Sequence, residues 1–217
     1  MTTQLCSLHP IYSGSSHDDL LFLTILLVKF HSLLRLGELV WPDHVSLQDY
    51  RKVVKRPLVT LLPDGFSFLL PSHKANRYFK GNCVIVLRST AEDDPDIIFC
   101  SYLSLRDCQY PYHLQLWLCS DGSIPLWSWF LHWLCNHFPP DISSHSLHAG
   151  GATTLAQAGI APHIIQATGQ WTSEAFASLS AYTTSLTTWR TLRALLVPLW
   201  SLHTTLAWLS ETSCTYC

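Results

Sequence analysis

The 217-residue chain has no long apolar run, and this absence bears on where the protein resides. Its longest apolar run, residues 20–28, is interrupted by Thr24 and falls far short of the roughly 18 to 20 residues that cross a bilayer. The first twenty residues also lack the pattern of a signal peptide. We therefore expect an intracellular protein without a membrane segment, whose eight cysteines are reduced thiols.

An excess of positive charge is also missing. Thirteen Lys and Arg residues face fifteen Asp and Glu residues, which gives a formal net charge of −2. Nucleic-acid binders are usually strongly basic, so a DNA-binding function needs support from particular residues. The hydrophobic content of 48% is enough for a core, and the length suits one domain.

Paired metal-ligand motifs are scarce as well. Cys214 and Cys217 form a single C-x-x-C with no second pair, and Cys135 lies between His132 and His137 at a spacing that is not a common zinc pattern. Buried or idle thiols explain these cysteines better than a structural zinc. We expect neither a metal nor a cofactor.

The first half of the chain predicts a buried helix followed by a small sheet. Ser15 or Ser16 with Asp18 and Asp19 would start the helix, which runs through an apolar segment to near Arg35. Three strand-like runs follow at residues 58–62, 66–70 and 82–87, the first two joined by a Pro-Asp-Gly turn. An antiparallel order would place Lys74 on the second hairpin. Glu38, three residues after Arg35, is expected to orient that arginine.

The second half predicts helices. From Ser104 the pattern is helical through a tryptophan-rich segment that is typical of core. After Pro139-Pro140, three short helices are expected: one ending at Gly159, one from Pro162 to Gly169, and one starting after Trp171. The expected fold class is therefore α+β, mainly α, with a three-stranded antiparallel sheet.

The segment SSHSLHAGG, residues 143–151, combines unusual residues at a helix start. His145 and His148 are three apart and share a helical face, directly after the N-cap candidates Ser143 and Ser144. The two glycines that follow cost about 1 kcal/mol each relative to alanine, so something must approach the backbone there. A helix N-terminus that carries imidazoles is suited to an anion.

Four scattered side chains could surround one phosphate. Arg35 can hold two phosphate oxygens at once, and Lys74 can protonate a leaving oxygen. The imidazole of His145 and the indole of Trp171 can donate to the remaining oxygens, so no metal is required. A basic cluster is either a solvated face or a DNA contact: Arg51, Lys52, Lys55 and Arg56.

Three segments carry a family resemblance: LLRLGEL, LPSHKANRYFKGN and SSHSLHAGGATTLAQAGIAPHIIQATGQWTSEAF. In this order they resemble the catalytic domain of the tyrosine recombinases, or phage-integrase family, and within it the Crypton-like type of fungal mobile elements. The resemblance covers residues 16–178. It implies a nuclear protein, DNA as partner, a homo-oligomer on DNA, and DNA recombination or integration through a 3′-phosphotyrosyl link.

The resemblance also implies residue roles. Arg35 takes the place of the family's first arginine, Lys74 that of the hairpin lysine, His145 that of the histidine in His-x-x-Arg, and Trp171 that of the His/Trp position.

Two departures from the family pattern predict impaired catalysis. His148 stands where the second arginine belongs, and a neutral imidazole cannot hold two oxygens. Leu179 stands where the nucleophilic tyrosine belongs. Tyr182 lies roughly 4.5 Å further along a helix, which is too far to attack the phosphate unless that helix shifts. The alternative, that Tyr182 is an ordinary packing residue, requires no such shift.

The resemblance divides the chain into three parts. Residues 1–16 form a flexible tail, residues 17–178 the recombinase-like catalytic domain, and residues 179–217 an atypical tail. We interpret this last part as the product of a frameshift or a wrong exon boundary. The N-terminal DNA-clamping domain of the family is expected to be missing or supplied by another protein.

Four functional interpretations remain open. The chain is an active recombinase that uses His148 and Tyr182, or an impaired relative that still binds DNA. Alternatively it is an unselected remnant of a mobile element, or an interaction protein that uses its tryptophan-rich surface.

Overall fold

A computed structural model describes residues 16–71, 82–88, 94–139, 142–169 and 171. Within these ranges the chain forms five α-helices and one three-stranded antiparallel sheet, so the predicted fold class, α+β and mainly α, is confirmed. The helices are α1 His17–His31, α2 Pro95–Gln109, α3 Trp127–His137, α4 Ser144–Gln157 and α5 Pro162–Gly169. The strands are β1 Val59–Leu62, β2 Gly65–Leu70 and β3 Asn82–Leu87. Single 3-10 turns connect α1 to β1: Leu36–Glu38, Val45–Leu47, Tyr50–Lys52 and Arg56–Leu58.

Helix α1 starts where the sequence predicts. Ser16 is its N-cap and forms a reciprocal capping box with Asp19: the Asp19 amide donates to the Ser16 hydroxyl at 3.1 Å, and the Ser16 amide donates to the Asp19 carboxylate at 2.9 Å. Nearly every side chain of α1 is buried. The helix therefore lies inside the molecule with neighbours on most of its faces.

The end of α1 differs from the prediction, which extended the helix to near Arg35. The helix ends at His31, and Leu33 adopts a left-handed conformation with φ of 52°. The Leu34 amide then donates to the Lys29 carbonyl at 3.1 Å, which closes the helix in the manner of a Schellman motif. The Leu33 side chain is buried in a small second core with Ala152 and Ile165, and this burial offsets the energetic cost of the left-handed backbone.

The sheet has the order β1-β2-β3, and its first hairpin is confirmed. Leu62 pairs with Gly65 across a two-residue connection. Gly65 has a φ of 145°, and a β-carbon there would collide with the Val86 carbonyl, so only glycine fits. Phe66 and Phe68 on β2 point into the main core, where the ring of Phe66 stacks on Phe99 of α2 at a centroid distance of 3.7 Å.

Helix α2 begins nine residues before the predicted Ser104, at Pro95, with Asp94 as its N-cap. It ends at Gln109, and residues 110–126 are irregular rather than helical. The carbonyls of Tyr110, His113 and Gln115 in this segment accept hydrogen bonds from the buried guanidinium of Arg106. The buried arginine thus supplies hydrogen-bond donors to backbone carbonyls that have no partner within a helix.

The remaining elements follow the prediction within the described residues. The tryptophans of α3 are partly buried and pack against the main core, with Trp133 stacked on Phe22 of α1. Ser143 caps α4, and Gly159, at a φ of 80°, follows its end. Helix α5 has the predicted bounds, Pro162–Gly169. The helix predicted after Trp171 and the tail 179–217 lie outside the described residues.

Candidate phosphate-binding site

Side chains from three separate parts of the chain converge on His148 of α4. The pKa of His148 is lowered to about 3, most strongly by burial and then by the nearby positive charges of Lys29 and Arg35 and by His145. The indole ring of Trp171 lies against the imidazole, with ring centroids 4.5 Å apart. The predicted site residues Arg35, His145, His148 and Trp171 are therefore neighbours.

The two glycines of α4 allow this convergence. A β-carbon on Gly151 would collide with the Phe30 carbonyl and lie 2.7 Å from a methyl group of Leu33, both in or just after α1. A β-carbon on Gly150 would lie 3.4 Å from the Phe30 ring. The close approach that the glycines predicted is thus made by α1 itself. It brings the end of α1 against the middle of α4.

Arg35 is half-buried and lies at the start of the 3-10 turn Leu36–Glu38. Its backbone amide donates to a Glu38 carboxylate oxygen at 2.8 Å. The prediction that Glu38 orients Arg35 thus has a geometric basis in this backbone contact. The carboxylate fixes the peptide from which the guanidinium extends.

His148 is a neutral imidazole at physiological pH, because its pKa lies well below that range. Its Nε2 atom is buried and has no hydrogen-bond partner among the residues that the structure describes. A buried polar atom without a partner is costly, unless a ligand or water supplies the missing contact. When the proton resides on Nε2, this atom can donate one hydrogen bond to an anion oxygen.

Trp171 is held beside His148 by α5. Its backbone amide donates to the Gln166 carbonyl at 3.2 Å, and the Gln166 side chain donates to the Trp171 carbonyl at 3.3 Å. A β-carbon on Gly169 would collide with the indole ring. Glycine at this position therefore lets the indole fold back over the end of α5.

His145 is exposed on the first turn of α4, one position after the first helical residue. Ser143 caps this end, and its hydroxyl accepts from the Ser146 amide at 3.2 Å. The N-terminus of a helix carries partial positive charge. The exposed imidazole and this helix end therefore open onto solvent beside the half-buried His148.

The basic cluster is partly paired with acidic residues. Arg51 forms a two-oxygen contact with Asp49, and Arg56 forms one with Asp107, with shortest distances of 2.9 and 2.7 Å. Lys52 and Lys55 are exposed. The lysines are consequently the cluster members best placed to meet a partner.

Two predicted residues, Lys74 and Tyr182, lie outside the described residues, as do Leu179, Cys214 and Cys217. In the described ranges, no group of three or more His, Cys, Asp or Glu side chains is arranged to hold a metal ion. Among the helices of those ranges, none combines the length and apolarity needed to cross a bilayer.

Sequence reasoning missed three residues that shape this site: Lys29, Gln166 and Gly169. Lys29 gave a readable signal, since it is the single Lys, Arg, Asp or Glu between Asp19 and Arg35 in a largely apolar segment. Gly169 was expected only to end a helix, and the folded-back indole that requires it leaves no pattern in the sequence. Gln166 gave no signal.

Comparison with known proteins adds no assignment. The chain matches no family model, and no curated protein matches it.

Proposed function

We propose that the chain is a tyrosine-recombinase-like domain that binds a DNA phosphodiester at the site around His148 and is impaired in catalysis. The convergence of Arg35, His145, His148 and Trp171, which come from segments far apart in the sequence, carries this proposal. Such a convergence is what a shared phosphate needs, because several donors must reach one group. The mainly helical fold with a three-stranded sheet is compatible with it.

The chemistry of the site supports binding better than catalysis. Arg35 is a permanent cation that suits two phosphate oxygens, whereas His148 is neutral and can give one hydrogen bond. Loss of a phosphate-clamping arginine reduces rates by roughly 10³-fold or more, by analogy with arginine fingers. The leucine at position 179 has no nucleophilic oxygen.

The first experiment measures DNA binding by fluorescence anisotropy with a generic duplex between 50 and 200 mM salt. We expect the affinity to fall with salt, and Arg35→Gln to weaken binding about tenfold because a phosphate contact is lost. The matched control is Arg88→Gln. It also removes one cation, whose guanidinium pairs with Asp96 at 2.6 Å outside the proposed site.

Equal binding by Arg35→Gln and Arg88→Gln, or binding that ignores salt, would contradict a phosphate site at Arg35. Absence of binding altogether would favour a remnant without DNA-binding function.

The second experiment uses a suicide DNA substrate that traps a phosphotyrosyl adduct. For an impaired domain we expect no adduct on denaturing gels. An adduct that peptide mapping places on Tyr182 would instead identify an active recombinase and overturn the impairment.

A further inference from the structure

Lys29 is a buried cation in the last turn of the apolar helix α1, and the proposed function above assigns it no role. Its side chain is 1% exposed, and burial lowers its pKa to about 8. Burial of an ammonium group is unfavourable unless charge and hydrogen bonds compensate it. A methionine of similar size would fill the same space without this penalty, so packing alone does not explain a lysine at this position.

The contacts of Lys29 point to the residue just before Arg35. The Lys29 carbonyl accepts a hydrogen bond from the Leu34 amide at 3.1 Å. The Lys29 ammonium group donates to the Leu34 carbonyl, also at 3.1 Å. One residue thus holds both polar backbone groups of Leu34, directly after the left-handed Leu33 and directly before Arg35.

The charge of Lys29 reaches the candidate site. The carboxylate of Glu38, on the 3-10 turn after Arg35, interacts with it favourably. The positive charge of Lys29 also lowers the pKa of His148 on α4, as do Arg35 and His145. Among the described residues, Glu38 thus bears on the charge of Lys29, and Lys29, Arg35 and His145 bear on that of His148.

We propose that Lys29 is a positioning residue of the phosphate site: its ammonium group fixes the Leu34 carbonyl so that Arg35 stays beside His148, and it adds one positive charge behind the bound anion. This inference rests on the proposed function, because it assigns Lys29 to that same site. The charge replaces, at a distance, part of the attraction that the arginine missing at position 148 would supply.

A pH dependence follows from the two roles. Above its pKa Lys29 is a neutral amine, which can still donate to the Leu34 carbonyl but no longer attracts an anion. His148 is neutral throughout this range. Anion affinity should therefore fall as the pH rises through about 8, the pKa of Lys29.

The test uses sulfate as the probe, because this tetrahedral dianion does not titrate between pH 6.5 and 9.5. Calorimetry at constant ionic strength compares the full wild-type chain with Lys29→Met and with Arg88→Met, which removes a cation outside the site. We expect wild-type affinity to fall about tenfold between pH 6.5 and 9.5. Lys29→Met should bind about tenfold more weakly at pH 6.5 and lack the fall in affinity near pH 8, while Arg88→Met should follow the wild type.

The possible outcomes distinguish a failure of this inference from a failure of the proposed function. Sulfate binding by the wild type with equal affinity and the same pH profile in Lys29→Met overturns the role of Lys29 and leaves the phosphate site standing. No sulfate binding by the wild type overturns both proposals. If Lys29→Met fails to fold, the wild-type profile decides: a flat affinity between pH 6.5 and 9.5 overturns the inference.

Discussion

At the scale of single residues, the identity of residue 148 sets what the site can do. A guanidinium there would be charged at every pH and would give two hydrogen bonds, whereas burial and the nearby charges of Lys29 and Arg35 keep the imidazole of His148 neutral. The same crowding of positive charge that suits an anion thus opposes protonation of His148. The imidazole contributes shape and one hydrogen bond rather than charge.

The depressed pKa of His148 predicts a loss of stability in acid. The pKa is about 3 in the folded chain and about 6.5 in a model histidine, so between these values the unfolded chain binds more protons. Stability should therefore rise with pH from 3 to 6.5, by at most about 1.4 kcal/mol per pH unit, with the penalty complete below pH 3. Urea unfolding of the wild type at pH 4.5, 5.5 and 6.5 measures this slope.

His148→Gln is the comparison for that slope, because glutamine keeps polarity at position 148 and does not titrate. Its stability should decline less steeply from pH 6.5 to pH 4.5 than that of the wild type. Parallel curves for the two proteins would show that protonation of His148 does not govern the acid response.

At the scale of elements, the contact between α1 and α4 determines the geometry of the site. Gly151 lies against the Phe30 backbone and the Leu33 side chain, and Gly150 faces only the edge of the Phe30 ring. The two adjacent glycines therefore have different roles, although both lower the intrinsic helix propensity of α4 to the same degree. The role of Gly151 is close packing.

Alanine substitution should separate the two glycines. Gly151→Ala should destabilise the chain by about 2 kcal/mol or more, because its β-carbon meets backbone that cannot easily move. Gly150→Ala should change stability by no more than about 1 kcal/mol, since the gain in helix propensity offsets a tight contact. Thermal or urea unfolding of both variants measures the difference, and equal effects would refute this view of the packing.

The elements differ in how well sequence predicts them. Caps and tight turns are local, so Ser16, Ser143, the hairpin before Gly65 and the start of α5 at Pro162 were all foreseeable. The end of α1 was not, because a leucine in a left-handed conformation depends on the core that buries it. The irregular segment 110–126 after α2 was not predicted either. Its carbonyls accept hydrogen bonds from the buried Arg106, and the sequence does not show these contacts.

At the scale of the whole molecule, a net charge of −2 limits the attraction to DNA. Any binding must therefore use local positive surface. Arg51 and Arg56 are engaged with carboxylates, while Lys52 and Lys55 are exposed near them. The lysines should account for most of the electrostatic contribution of this cluster.

The double variant Lys52→Ala/Lys55→Ala tests this view. If both lysines contact phosphates, the slope of log affinity against log salt should become less steep by about 2, because two fewer counterions are released. Anisotropy titrations with the same duplex at several salt concentrations measure the slope, with Arg88→Ala as a single-cation control outside the cluster. An unchanged slope would identify the cluster as an ordinary solvated face.

The residues of the site were only partly predictable from the sequence. Arg35, His145, His148 and Trp171 were identified from motifs, and they are neighbours in the fold. Lys29 was not identified, because its importance depends on a hydrogen bond to Leu34 and on α4 packing beside α1. Sequence motifs name the groups that contact a ligand, whereas the buried support of those groups emerges only from the packing.

The order of assembly follows from the distance in sequence between the two halves of the site. The first hairpin joins residues only a few positions apart, whereas Arg35 and His145 are separated by about a hundred residues. Closing so long a loop is entropically unfavourable until other contacts have formed. The site around His148 should consequently be among the last features to form during folding and among the first to be lost on unfolding, so ligand protection against proteolysis would report on the final folding step.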